Sequence, residues 1–302
     1  MRGVLPIVVV LLVLLVVWYL GAIALNAPVL LDSYARNKIA FSWPQFVLDA
    51  WNQSRPVLPS PHQVLIEFWK TTAEVAPNSK RSLIYHAWVT LSATLLGFII
   101  GTVLGIVLAV LIVHNDASDR SLMPWIIASQ TIPIVALAPV FVVVTYNVLT
   151  GDNLIGDLFH LNGDGARLVA KAFISTYLSF FPVVVGMVKG FRSPEAIQTD
   201  LMRTYNAGRA QVFWKLRWPI ATPYLFASMK VGVAASLVGA IVGELPTGAV
   251  AGLGARLLGG SYYGQTVQIW SALLAAAILA GLLILVVGAI EKLVLRRMGA
   301  PS

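Results

Sequence analysis

Cysteine is absent from the chain, so no disulfide, thiolate zinc site or iron-sulfur cluster can form. Charge is scarce: Asp, Glu, Lys and Arg make up 11% of the 302 residues, where a water-soluble domain carries about 25%. No G-x-x-x-x-G-K-[ST] phosphate loop occurs, so any nucleotide hydrolysis must come from another chain. His62, His86, His114 and His160 are the only histidines and none stands deep in an apolar run. That argues against an intramembrane hydrolase built on Gly260-Ser261, which would need a base beside the hydroxyl.

What remains is apolar. Hydrophobic residues form 58% of the chain and the mean hydropathy is +0.81. A bilayer core about 30 Å thick needs about 20 apolar residues per spanning helix, and six such runs are found: Val4 to Leu25, Trp88 to Val113, Trp125 to Leu149, Leu168 to Val188, Thr222 to Gly243 and Ile269 to Leu295. The expected fold is therefore an all-α membrane protein with six transmembrane helices. Residues 1–87 hold the first helix and a polar segment facing the outside or the interface, and residues 88–302 hold a core of five helices. Ala22-Ile-Ala24 has small residues at signal-cleavage spacing, but an h-region runs about 7 to 15 residues. The longer run of Val4 to Leu25 reads as an uncleaved span.

Asn26 to Ala87 is the one long polar stretch. Pro56, Pro59 and Pro61 mark an irregular passage, after which Val64, Leu65, Phe68, Trp69 and Thr72 recur at helical spacing, as in an amphipathic helix on the membrane face. Gly97, Gly101 and Gly105 share one face of the second span, and Ser228, Gly232 and Ser236 with Ala235, Gly239 and Gly243 mark two faces of the fifth, all suited to close helix approach. His114 to Pro124 reads as a short polar loop. In the third span Gln130, Thr131, Pro133 and Pro139 read as a kinked stretch that suits either the wall of a pathway or a packing bend. Thr150 to Arg167 is a loop whose Asp152, Asp157 and Asp164 form no catalytic pair. Lys171 and Lys230, each near a span end, are expected to snorkel outward. Glu244 closes the fifth span, where a carboxylate serves either an interfacial structural role or substrate gating. Glu244 to Gln268 is glycine-rich.

The net charge of +8 would suggest nucleic acid in a soluble chain, but the basic residues cluster at the ends of apolar runs, where they fix orientation. With the N-terminus inside, the inner segments hold Arg2, Arg120, Lys189, Arg192, Arg203, Arg209, Lys215, Arg217, Lys292, Arg296 and Arg297, against Arg167 and Arg256 in the short outer loops. Both termini are expected in the cytoplasm, with membrane lipid and no nucleic acid as surroundings.

Between spans four and five, Asp200 to Pro219 is too polar to cross a bilayer. Ser193-Pro-Glu195 offers a helix start, with Ser193 at the cap, Pro194 at the first position and Glu195 in the first turn; Asn206 suits a left-handed backbone step, and Ala207 to Leu216 can form a second short helix, with Val212, Phe213 and Leu216 as an apolar stripe. Pro219 is expected to end the surface passage and Pro223 to open the next span.

This segment resembles the EAA loop of permease subunits of bacterial ABC importers: Glu-Ala-Ala, three residues, Gly, nine residues, Ile, one residue, Leu-Pro. Asp200-Leu201-Met202 stand at Glu-Ala-Ala, Asn206 at the Gly, Leu216 at the Ile and Trp218-Pro219 at Leu-Pro, with every spacing kept. Gln130 to Pro139 and Val238 to Leu245 look like the branch serving sulfonates, taurine, nitrate, riboflavin and thiamine-pyrimidine precursors. The resemblance implies a non-catalytic permease of the bacterial inner membrane that takes up a small polar or heteroaromatic solute. Its implied partners are ATPase subunits that carry ATP and Mg, a second permease subunit, identical or paralogous, and a periplasmic or lipoprotein binding protein; it implies no cofactor on this chain. It places ATPase docking at Asp200, Arg203, Asn206, Ala207, Gly208, Arg209, Val212, Phe213 and Pro219, while the reading of the residues themselves makes Gln130, Thr131, Pro133 and Glu244 the pathway candidates. An ATP-independent secondary transporter or channel is the alternative, although no internal repeat of the kind such transporters carry is visible.

Overall fold

The computed structural model describes residues 4–38, 40–151, 162–246 and 251–299, and these are helical with irregular connections. Arg2, Asp152, Asp157, His160 and Gly248 of the sequence reading lie outside the described residues. Among the described residues five helices are long and apolar enough to cross a membrane, and a bent pair brings the number to six if it counts as one span. The contacts fall into two units, residues 1–87 with 255–277 and residues 88–254 with 278–302.

In the first unit, α1 (Val4–Asn37) has 34 residues, about 51 Å at 1.5 Å each, and outruns the bilayer core. The first span thus extends a dozen residues beyond the expected Leu25, because Asn26, Leu30 and Tyr34 recur at intervals of four and bury one polar-apolar face. Asn26 is fully buried and saturated: its amide donates to the carbonyls of Ala50 (2.9 Å) and Leu58 (3.0 Å), and its oxygen accepts from the N–H groups of Val57 (2.7 Å) and Leu58 (3.1 Å). One side chain thereby supplies the irregular proline passage with backbone partners it cannot find in itself. Leu30 and Tyr34 pack on Phe46 and Ala50 of α2 (Trp43–Trp51), and the Tyr34 hydroxyl donates to Asp49. The helix α3 (Pro61–Trp69) starts where Pro61 is tolerated at the first position, and Gln63 reaches back to the Ser60 N–H at 3.1 Å. A π turn, Lys70–Glu74, ends it.

In the second unit, α4 (Leu83–His114) is followed at once by α5 (Asp116–Ser129). The polar loop expected over His114 to Pro124 is therefore helix. Asn115 caps it by accepting from the Ala117 N–H at 2.9 Å, and Asp116 and Asp119 sit in the first turn, where a carboxylate meets the positive end of the helix. The third span is broken: α5 and α6 (Ile134–Thr150) lie 100° apart. Pro133 has no N–H and keeps Ile132 out of the helical region, so the chain turns there, whereas Pro139 is absorbed within α6. Asn162 caps α7 (Gly163–Phe191) by accepting from Gly165 N–H at 2.8 Å.

The polar segment forms α8 (Ala196–Thr204), a turn, α9 (Arg209–Val212), a π turn at Phe213–Arg217 and then α10 (Trp218–Glu244). Two expectations fail here. The cap of α8 is Glu195, not Ser193, because the Ser193 hydroxyl donates back to Gly190 O at 2.7 Å and closes α7 instead. Nor does Pro219 end the surface passage: the backbone stays helical from Arg209 to Glu244. The wide turn ahead of Pro219 relieves the clash its ring would make with the preceding turn. The remaining helices are α11 (Leu253–Tyr262), inside the glycine-rich stretch, and α12 (Thr266–Arg297).

Small residues bring α7 against α4 and α10. A Cβ on Gly105 would come within 2.7 Å of the Val183 side chain, and one on Gly239 within 2.8 Å of the Ser175 backbone. Such close approach supplies the dispersion that holds helices together in lipid, where burial itself offers little. Thr176 and Ser179 donate to Gly97 O, and Ser236 donates to Thr94 O at 2.8 Å. Lys230 does not snorkel freely but pairs with Glu291 of α12.

Candidate functional site

Two places carry polar chemistry. The first is the segment from Arg192 to Arg217. Asn206 has φ +49°, the left-handed step its residue type allows at least cost, and the Ala207 N–H donates back to Met202 O at 3.0 Å, so α8 ends in a tight reversal. Asp200 and Arg203 form an exposed ion pair at 3.1 Å. Ala207 and Gly208 make the tip of the reversal; a Cβ on Gly208 would meet nothing within 4 Å. Arg209 is exposed beside it. Val212 and Phe213 turn inward: the Phe213 ring lies 5.2 Å from His114, 5.3 Å from Phe191 and 5.9 Å from Trp218. Pro219 sits half-buried under the π turn.

Sequence reasoning missed the face that α8 presents outward. Ile197, Leu201 and Tyr205, each four residues from the next, are 74%, 56% and 77% exposed, and no residue of α8 is buried. Their spacing was the available signal, since residues at i, i+4 and i+8 share a helix face.

The second place is Glu244, at the end of α10 and fully buried. It accepts from the Thr90 hydroxyl at 2.9 Å and from the Gly254 N–H at 2.7 Å, and lies 3.6 Å from the Lys171 ammonium. Thr90 in turn accepts from Leu253 N–H at 2.8 Å. The carboxylate thus ties α4, α7 and α10 to the start of α11. Gly252, at φ +126°, and Gly254 let the backbone press onto it; a Cβ on Gly254 would come within 2.9 Å of the Glu244 Cβ. Lys171, expected to snorkel outward, is buried instead, because a counter-charge 73 positions away in sequence lies within reach of its ammonium.

Of the residues expected to form a pathway, Gln130, Thr131 and Pro133 stand together at the break between α5 and α6, and Glu244 stands at the end of α10. Gln130 and Thr131 occupy the break between α5 and α6 and serve that turn: Thr131 donates to Ala128 O at 2.8 Å and Gln130 to the Ser129 hydroxyl at 3.3 Å. The Tyr177 hydroxyl of α7 donates to Ser129 O, which lacks its i+4 donor because Pro133 has no N–H, and which otherwise accepts a long bond from Ile132 N–H at 3.4 Å. The partners described for Glu244 come from other elements. Ser261 is exposed on α11, and among the described residues no cluster of three or more His, Asp or Glu could hold a metal ion.

Residues 101–300 match the family described as the binding-protein-dependent transport system inner membrane component. The riboflavin transport system permease protein RibX of Chloroflexus aurantiacus is 32% identical over 240 residues, 80% of each chain. The formylaminopyrimidine transport permease protein ThiX of Halalkalibacterium halodurans is 28% identical over 198 residues, 66% of this chain and 68% of its own. A putative aliphatic sulfonates transport permease protein, SsuC of Bacillus subtilis, is 21% identical over 225 residues, 74% of this chain and 72% of its own. Among solved structures the methionine ABC transporter MetNI, in an inward-facing form, shares the fold with a TM-score of 0.55 at 18% identity, covering 70% of this chain and 95% of that one. The chain belongs to the binding-protein-dependent transport system inner membrane component family, and is a multi-pass inner-membrane permease of the ABC transporter type.

Proposed function

We propose that this chain is the permease half of an ATP-driven importer, that its Arg192 to Arg217 segment docks on a separate ATPase at the cytoplasmic face, and that its solute is a small heteroaromatic molecule of the riboflavin or pyrimidine type. The observation that carries the docking is the stripe of Ile197, Leu201 and Tyr205, apolar side chains held outward on a helix too short and polar to enter lipid. Asp200 and Arg203 flank the stripe, and Asn206, Ala207 and Gly208 set its tip beside Arg209. Val212, Phe213 and Pro219 stiffen the base, so that a push on α8 is carried into α7 and α10. ATP and Mg would be bound by the ATPase. The basic residues gathered on this side favour cytoplasmic termini and a cytoplasmic segment. The heteroaromatic substrate class rests on the RibX and ThiX relatives, which match better than the sulfonate relative.

The test pairs Leu201→Asp with Phe213→Asp. Leu201→Asp is expected to abolish ATPase co-purification and leave the permease inserted and folded. Phe213→Asp is expected to lower the yield of folded permease itself, since it places a carboxylate among Phe191, Trp218 and His114. Full co-purification with Leu201→Asp would overturn the docking, and uptake without ATP in reconstituted vesicles would overturn the importer reading.

A further inference from the structure

Behind the docking face lies a cavity of about 450 Å³ whose lining includes Arg203, Arg209, Arg217 and His114. Its floor is apolar, made by Val113, Val212 and Phe213. No carboxylate lines it. Arg203 is engaged by Asp200, but among the described residues neither Arg209 nor Arg217 has a carboxylate within ion-pair distance. The Nδ1–H of His114 donates to Val110 O at 2.8 Å, which fixes the ring as part of the cavity wall and leaves the guanidinium groups as the donors that face an anion. Arginines on the wall of a cavity with an apolar floor suit a phosphodiester, which two forks can grip at once.

What lies beside the cavity narrows the source of that phosphate. On α4 the residues Leu104, Val107 and Leu111 are exposed, and with His114 they recur at three, four and three positions, so a single apolar stripe leads along the spanning helix into the cationic cavity. Trp214, also exposed, stands one residue from Phe213 at the same end of the membrane-spanning helices, the depth at which Trp collects at a bilayer interface. A soluble anion would have no use for the stripe; a two-tailed anionic lipid would lay its chains on it and its headgroup among the arginines.

The geometry points to a binding site for an anionic glycerophospholipid, with its phosphodiester held by Arg209 and Arg217 and its acyl chains on the Leu104, Val107 and Leu111 stripe. This goes beyond ATPase docking: the lipid sits behind α8, fixes the angle between the π turn and α4, and makes the stiffness of the docking segment depend on acidic lipid in that leaflet.

The test uses the full chain purified into nanodiscs of phosphatidylcholine with a minor fraction of phosphatidylglycerol, followed by release into the gas phase and counting of retained lipid by native mass spectrometry. Wild type is expected to retain phosphatidylglycerol over phosphatidylcholine, and Arg209→Gln/Arg217→Gln to lose at least tenfold of that retention. Arg209→Lys/Arg217→Lys, which keeps charge without the fork, is expected to fall between them and guards against a misfolded Gln variant. Millimolar inorganic phosphate is expected not to displace the lipid. Equal retention of the two lipids by wild type would overturn the site, as would unchanged retention in the Gln variant. Displacement by phosphate would make it a soluble-anion site. Loss of ATPase co-purification with lipid retention intact would assign the arginines to an acidic surface of the ATPase.

Discussion

Lys171 and Glu244 offer a sharp quantitative test, because the pair is 6% and 0% exposed with 3.6 Å between its charges. At an effective dielectric of about 20, unit charges at that distance attract by roughly 4–5 kcal/mol. Removing each ion from water costs several kcal/mol, so the pair stabilises little against an apolar replacement, and its weight appears when one partner is removed alone. Glu244→Gln leaves the Lys171 ammonium buried without this carboxylate and turns one acceptor into an NH2 group facing the donors of Thr90 and Gly254; the expected loss is about 3–5 kcal/mol. Lys171→Met leaves the carboxylate its hydrogen bonds from Thr90 and Gly254, so the loss is smaller. The double variant removes both charges and is expected to fall short of the summed losses by about 1–3 kcal/mol. Thermal unfolding of the purified permease in detergent, followed by tryptophan fluorescence, reads the series. Losses that add to within about 0.5 kcal/mol, or Lys171→Met as damaging as Glu244→Gln, would refute the reasoning. Uptake by Glu244→Gln should fall in proportion to folded protein; a selective loss of transport would instead make Glu244 a gate.

Gly101→Leu should separate α4 from α7, since a Cβ there already falls on the Ser179 hydroxyl and within 3.1 Å of Thr176 O; a loss of at least about 3 kcal/mol is expected in the same unfolding assay. Asn26→Ala leaves the Val57 and Leu58 N–H groups without their acceptor and should cost about 3–5 kcal/mol locally; thermolysin should then cut between residues 52 and 58 while the core of residues 88–254 stays intact.

The sequence made local features legible and distant pairings not. The Gly97, Gly101 and Gly105 strip, the left-handed Asn206 and the interruption at Pro133 follow from residue type and spacing, which the chain displays directly. Lys171 read as a snorkelling surface charge because spacing gives no sight of Glu244, and Asn26 read as the end of a span because its four hydrogen-bond partners lie 24 to 32 residues on. Pro219 read as a stop, since the rule that proline breaks helices has no knowledge of a π turn placed ahead of it. The exposed stripe of Ile197, Leu201 and Tyr205 was legible in principle from its spacing, but Ile197 lies outside and Tyr205 between the positions that the family resemblance highlights, and Phe213, which is among those positions, packs inward.

The absence of cysteine allows a direct test of the central claim, that the Arg192 to Arg217 segment faces the cytoplasm. Gly208→Cys places one thiol at an open position with φ −65°, which any residue adopts, and Ser54→Cys places another at an exposed position just ahead of the proline passage of the first unit. With a membrane-impermeant maleimide, Ser54→Cys should label in right-side-out vesicles, and Gly208→Cys only in inside-out vesicles stripped of ATPase. Labelling of Gly208→Cys from the outside would contradict the account.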